Sequence, residues 1–466
     1  MYTWATLNLT NQCNLSCTYC FERVRNAKAM SFEEAKDIID ELLSHNDGKT
    51  PLSLWLFGGE PTLVPELTVE IIHYINETTS IRKTFLGVVM FTNGLLWSQD
   101  IIDEMLKSSG YTSYNIQISY DGDSNSARDR GNLALRTATE QNMLKYIDSG
   151  LKATIRSTIT PESYVPGTLY NLLQLSHQIG ISFAANFLSE AFSYSPEVVE
   201  AIKQDHERCA EQILEWYRAD DLGEYVFYSF DPRIFYNDSE KGCSVTQGNA
   251  VSFLPGDPTE YVCNYAASHP EAEFRVKSEC ATCDVPGCNL CGLQESVEGP
   301  LDESFCDFKK MIYRDVLLKF RDDLIKEGLA FIPKEDDLFV IRMLESTFAF
   351  LYPLRPEHMG TFMPNLPPPH HFRSLSEYLR HTAFVLLDLA QSILNREGLL
   401  RELGVDIQTK DDVYSYLTYL VGQVISFKYA TPDAKFIKLD TFDAITLMFM
   451  LLEATKPLET VKSNAA

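Results

Sequence analysis

Residues 8–22 read NLTNQCNLSCTYCFE, and three cysteines, Cys13, Cys17 and Cys20, stand in it as C-x3-C-x2-C. A strand-like run, TWATLNL (3–9), leads directly into the array. A helical stretch, SFEEAKDIIDELL (31–43), follows it and opens with Ser31 and Glu34 at capping-box spacing. The thiols therefore sit in a loop at the carboxyl end of a strand, where ligands bind in α/β folds. Three thiolates can hold three irons of a cubane 4Fe–4S cluster and leave the fourth open to a non-protein ligand, as an open catalytic zinc site does. Zinc completed by a distant fourth residue would use the same spacing.

Outward from this loop the pattern alternates. Further β-rich runs are LSLWLF (52–57), FLGVVMF (85–91), YNIQIS (114–119), KATIRSTI (152–159) and ISFAANFL (181–188). Helical runs follow each: PELTVEIIHYI (65–75), SQDIIDEMLKS (98–108), TATEQNMLKYIDSG (137–150), LYNLLQLSHQIG (169–180) and the stretch 196–218. Gly150 and Gly180 are expected helix stops. Six β-then-α units predict an α/β fold with a parallel sheet, because parallel neighbours need crossover helices. They fit a partial barrel or a doubly wound sheet, and periodicity does not choose.

A chain of 466 residues has ample length for a buried core and suggests two or three domains. Its net charge of −25 argues against a nucleic-acid partner. No run is apolar enough to span a bilayer, and 1–11 lacks the basic flank of a secretory signal, so no membrane partner and a cytoplasmic location are expected. In a reducing compartment 11 cysteines are not disulfides by default. Cys209 lies in a helical run and reads as a small core residue. Seven more, Cys243, Cys263, Cys280, Cys283, Cys288, Cys291 and Cys306, fall in a Gly- and Pro-rich segment without long periodic runs. Their core, C-x2-C-x4-C-x2-C, suits iron–sulfur ligation or a zinc knuckle. An irregular, metal-stapled domain is expected at 223–308, after a barrel at 1–222 and before a helical region at 309–466. In that last region PNLPPPHHF (364–372) reads as a stiff connector whose His370 and His371 are solvated, and 374–398 as a helix stopped by Gly398.

The first array, with aromatic Tyr19 before its last cysteine, resembles the radical S-adenosylmethionine (radical SAM) superfamily. GGEP, at Gly58, Gly59, Glu60 and Pro61 directly after the second strand, strengthens the resemblance, as do FTNG (91–94, with Asn93), SYDG (119–122) and Arg156 in the fifth strand. The resemblance implies a partial (β/α)6 TIM-like barrel over about the first 220 residues, an open 4Fe–4S cluster and reductive cleavage of S-adenosylmethionine to a 5′-deoxyadenosyl radical. It implies that the Gly-Gly-Glu segment binds the methionine amino group, that Ser119 and Arg156 contact ribose or carboxylate, and that Tyr19, Asn93 and Asp121 lie at the cosubstrate; for Ser119 and Asp121 a plain Asp-Gly turn is the alternative.

The second array is similar to a SPASM domain, the extension of peptide-modifying radical SAM enzymes that carries two auxiliary 4Fe–4S clusters. By order, Cys243, Cys263 and Cys291 would serve the first, and Cys280, Cys283, Cys288 and Cys306 the second. The core spacing departs from the family's x2, x5, x3. In sulfatase maturases of this kind a catalytic aspartate follows the cysteine aligned with Cys263. Here Asn264 stands there, and an amide is no proton acceptor. The resemblance therefore points to an oxidoreductase that matures a ribosomally made precursor peptide by a thioether or carbon–carbon cross-link. It would draw electrons from a flavodoxin or ferredoxin. Residues after 309, or a separate protein, would recognise the leader. Side-chain oxidation of the sulfatase type is the alternative, and an iron–sulfur electron carrier or zinc scaffold is the alternative of another class.

Overall fold

A computed structural model describes residues 2–222 apart from 23–26, 46–51, 83, 109–110, 123–126 and 189–193. It further describes 227–236, 250–269, the single residues 271, 273, 283 and 285, 303–334, and parts of 337–345 and 366–385. Six β-then-α units run in order: β1 (Trp4–Asn8), α1 (Phe32–Ser44), β2 (Leu52–Phe57), α2 (Pro65–Arg82), β3 (Leu86–Thr92), α3 (Gln99–Leu106), β4 (Thr112–Ser119), α4 (Leu133–Asp148), β5 (Lys152–Ile159), α5 (Thr168–Ile179), β6 (Ser182–Phe187) and α6 (Pro196–Ala219). All six strands are parallel, and each pairs with its predecessor. A doubly wound sheet reverses its strand order at a switch point. This one does not, so the fold is the partial, TIM-like barrel.

The local reasons are visible strand by strand. In β2, Leu52, Leu54 and Leu56 are buried, while Ser53, Trp55 and Phe57 alternate onto the other face. Both halves of the capping box of α1 form: Ser31 Oγ accepts from Glu34 N–H, and Glu34 accepts from Ser31 N–H at 2.7 Å. Gly180 closes α5 at φ +77°, a left-handed conformation that only glycine adopts without strain.

Part of the 223–308 segment is regular where an irregular chain is expected. β7 (Ala250–Leu254) adds to the sheet in parallel outside β1, and β8 (Asp257–Tyr261) turns back antiparallel to it. Pro255 and Gly256, at φ +58°, make the turn. A short helix, α7 (Asn264–Ser268), follows. Four of the five β7 residues are buried, so the strand has no alternation to read.

The chain divides into two compact units, Met1–Asp323 with Gly360–Phe362, and Leu324–Met359 with Met363–Ala466. In the second, Phe331 N–H donates to Phe372 O, and Tyr378 is fully buried against the Phe372 ring. His370 is buried in the turn Pro369–His371, not solvated as expected, whereas His371 is exposed. Most of the expected helix at 374–398, Gly398 included, lies outside the described residues. Among the described residues no helix is long and apolar enough to cross a membrane.

Candidate active site

The carboxyl ends of the strands surround one cavity of about 420 Å³, into which Cys13, Cys17 and Cys20 face. Gly58, Gly59, Glu60, Asn93, Ser119, Arg156 and Tyr19 line the same space, as do Cys263, Asn264 and Tyr265 from α7. One wall is aromatic: Trp4, Trp55, Phe91 and Phe57 follow one another with ring centroids 4.3, 4.7 and 5.1 Å apart, and Phe21 bridges Phe57 to Tyr265. The lining contributed by β4, β5 and β6 is mostly polar, with Ser119, Arg156, Thr158 and Asn186.

The two glycines after β2 are there because the cysteine loop passes against them. A Cβ on Gly59 would stand 2.0 Å from Gln12 O, and one on Gly58 2.4 Å from Thr10 O. Gly58 also has φ +134°. Gly59 N–H donates to Thr10 O at 2.7 Å, so motif and loop are one backbone unit. Glu60 then turns inward and is buried. Its carboxylate accepts from Thr62 N–H and hydroxyl, from the Thr92 hydroxyl at 2.8 Å and from Asn93 N–H at 2.7 Å. Burial pushes its pKa up against those four donors. Pro61 starts the following single helical turn. Asn93 carries the link onward: its amide donates to Asn14 Oδ1 at 2.6 Å and lies 3.9 Å from Cys13 Sγ.

Ser119, which ends β4, is the register partner of Arg156 within β5. Arg156 is half-buried, burial pulls its pKa down, and it has no ion pair among the described residues. A guanidinium in that setting is a ready anion site.

Asp121 is buried outside the lining of this cavity. Its Oδ2 accepts from the Tyr19 hydroxyl at 2.5 Å and from Arg128 Nε at 3.3 Å, and its Oδ1 from Thr158 N–H at 2.8 Å. Arg128, which does line the cavity, has no motif to mark it in the sequence. Burial pulls its pKa down, but Asp121 and Tyr19 outweigh burial and hold it above the ordinary range. Burial pushes the Tyr19 hydroxyl well up. Burial likewise raises the Cys17 thiol, with Arg128 opposing and Asp121, Cys20 and Cys13 adding to the rise.

In α7, Cys263 caps the helix through Sγ and Ala266 N–H. Asn264 Oδ1 accepts from the Ser252 hydroxyl at 2.5 Å and from Asn8 Nδ2 at 3.4 Å. Cys283 and Cys306 are half-buried and do not line this cavity. Cys209 is wholly buried, as expected of a core residue. Cys243, Cys280, Cys288 and Cys291 lie outside the described residues. Among the described residues no three His, Cys, Asp or Glu side chains stand close enough to share one metal ion. The donor set of the first loop does fit an iron–sulfur cluster. It offers three soft sulfurs facing one open cavity, with the cations of Arg128 and Arg156 to balance thiolate charge.

Residues 7–163 match the sequence model of the Radical SAM superfamily. The chain is 33% identical over 99 residues to an uncharacterized protein of Methanocaldococcus jannaschii, covering 21% of this chain and 33% of that one. It is 27% identical over 180 residues to GTP 3′,8-cyclase of Clostridium perfringens, covering 37% of this chain and 51% of the relative. It thus spans between a third and about half the length of these relatives. Among solved structures it is similar to anSMEcpe with bound AdoMet (TM-score 0.52, 14% identity, 69% of this chain and 98% of that one). It is also similar to native anSMEcpe with bound AdoMet and the Cp18Cys peptide (TM-score 0.51, 14% identity, 68% and 99%). At that identity the likeness is one of fold.

Proposed function

From the premise that residues 7–163 form a radical SAM domain, we propose that this enzyme matures a ribosomally made precursor peptide by installing a thioether or carbon–carbon cross-link. The observation that carries the reading is the shared cavity: the cysteine loop, the segment after β2, Ser119 with Arg156, and the Cys263–Asn264–Tyr265 stretch all open onto one space. Cys13, Cys17 and Cys20 would hold a 4Fe–4S cluster, with S-adenosylmethionine beside it. When bound, that pair supplies the electron and the 5′-deoxyadenosyl radical that removes a hydrogen atom from the peptide.

The chain's own residues do the rest. Gly58 and Gly59 keep backbone close to the cluster loop, and Glu60 locks them to Asn93. Ser119 and the Arg156 guanidinium would bind the carboxylate or ribose of the cosubstrate. The aromatic wall would help to exclude water from the reacting region. Cys263, Cys283 and Cys306, with Cys243, Cys280, Cys288 and Cys291, would hold two auxiliary clusters that accept the electron released on bond formation. A flavodoxin or ferredoxin would supply the first electron, and residues after 309 would engage the leader. Sulfatase-type side-chain oxidation is disfavoured by Asn264, whose Oδ1 is already engaged by Ser252 and Asn8.

The test is anaerobic reconstitution, reduction with dithionite and addition of S-adenosylmethionine. Iron near twelve per chain and formation of 5′-deoxyadenosine, lost in C17A, are expected. Iron near four would remove the auxiliary clusters and with them the cross-linking chemistry. Zinc in place of iron would end the radical reading.

A further inference from the structure

The cysteine loop is held from outside by one short segment, residues 127–130. Thr18 N–H donates to Ala127 O at 2.9 Å, and the exposed Arg130 donates to Ser16 O at 3.0 and 3.2 Å. Those contacts already fasten the loop. Arg128 lies between them and is turned the other way, inward. Its side chain is 14% exposed and that of its partner Asp121 is 1% exposed, with Nε 3.3 Å from Oδ2. Its guanidinium carbon is 5.6 Å from the centre of the Tyr19 ring, and the Tyr19 hydroxyl shares the same Asp121 oxygen at 2.5 Å. Arg128 faces the cavity together with Cys13, Cys17 and Cys20. Burying an ion pair costs desolvation, and a loop can be pinned without one. What this arrangement adds is a fixed positive charge in the lining of the cavity that the three sulfurs face.

We propose that Arg128 is a positioning residue that sets the reduction potential of the cluster held by Cys13, Cys17 and Cys20, with Asp121 moderating its charge. The inference rests on the cluster reading given above. Reduction moves one electron from an external reductant, dithionite in the test, onto the cluster. No bond is made or broken, and the thiolate-bound assembly becomes one charge more negative. A cation fixed beside it in a weakly screened site favours that state, and a carboxylate opposes it.

The two charges make opposite predictions, which a purely structural role does not. The test is a potentiometric titration of the full-length, anaerobically reconstituted chain, with the reduced cluster followed by electron paramagnetic resonance and iron measured per chain. In R128Q the ratio of reduced to oxidised cluster at a fixed potential should fall about tenfold, and R128K should recover most of it. In D121N the ratio should rise. Equal iron content with an unmoved ratio in R128Q overturns the proposal, as does a shift of both variants in the same direction. If R128Q takes up no iron, D121N decides: a ratio that stays or falls overturns it. A wild-type chain that takes up no iron would instead remove the cluster reading itself, a failure distinct from these.

Discussion

Glu60 accepts a 2.7 Å hydrogen bond from the backbone N–H of Asn93, so a residue of the segment after β2 holds the residue that follows β3. Two stretches 33 residues apart are thereby one rigid rim of the cavity. Glu60→Gln replaces one acceptor oxygen by an NH2 group facing a donor. A charged, buried acceptor of four hydrogen bonds is worth about 2–3 kcal/mol. The expected result is an unfolding free energy lowered by that amount, read as a lower urea midpoint with an unchanged slope. A midpoint equal to wild type would mean that the rim is held by other contacts.

Gly59→Ala tests the close approach directly. Its Cβ meets backbone, Gln12 O at 2.0 Å, and cannot be relieved by a side-chain rotation. The cysteine loop must move, so iron uptake on reconstitution should fall well below wild type. Gly87→Ala is the internal comparison, because its Cβ meets nothing nearer than 3.7 Å, an ordinary contact. Equal iron in both variants would show that the loop tolerates displacement.

Arg156 should show opposite effects on binding and on stability. Its guanidinium is half-buried without an ion pair among the described residues, an arrangement that costs folding free energy. In Arg156→Met, S-adenosylmethionine affinity measured by calorimetry should fall about 10–100-fold, the worth of one charge-assisted contact. The ligand-free chain should melt no lower than wild type. Lost affinity together with a lower melting temperature would make Arg156 a structural residue instead.

The strand positions were legible in the sequence because apolar, β-rich runs mark them, and in β2, β3 and β4 buried positions alternate with half-buried ones residue for residue. The motif glycines were legible too, but their reason was not: they accommodate the chain's own residues 10–13. The hairpin at 250–261 was missed because β7 is buried on both faces. Asp121 was expected to face the cosubstrate, and its link to Tyr19 spans 102 residues, which no local pattern encodes. Arg128 was invisible for the same reason.

A cap supplied from a distance is a further case. Helix α5 begins after Gly167, which has no side chain to cap it. Asp205, from α6, does so: its carboxylate accepts from Gly167 N–H at 2.9 Å, Leu169 N–H at 3.1 Å and the Tyr164 hydroxyl at 2.6 Å. Asp205→Asn should cost about 1–2 kcal/mol in unfolding experiments. Helical content should be otherwise retained by circular dichroism. No loss would imply that the α5 terminus is satisfied without Asp205.

The acid stability of the barrel should carry the signature of His206. The ring is wholly buried among Phe187, Phe227 and Phe230, and its Nδ1–H donates to Ile202 O at 2.8 Å. Burial brings its pKa down from 6.5 to about 4, with the Ile202 carbonyl opposing and the Lys309 charge assisting. The folded chain therefore holds the neutral ring where the unfolded chain binds a proton. Stability is full above about pH 6.5 and is lost as pH falls toward about 4, by about 3 kcal/mol for this group alone. His206→Asn keeps a donor for Ile202 and removes the titration. Carboxylates protonate over part of the same range in both proteins, so the informative quantity is the difference between the two pH profiles. Wild type should lose stability more steeply than H206N between pH 6.5 and 4, by up to one bound proton. Parallel profiles would mean that the ring is already protonated in the folded chain.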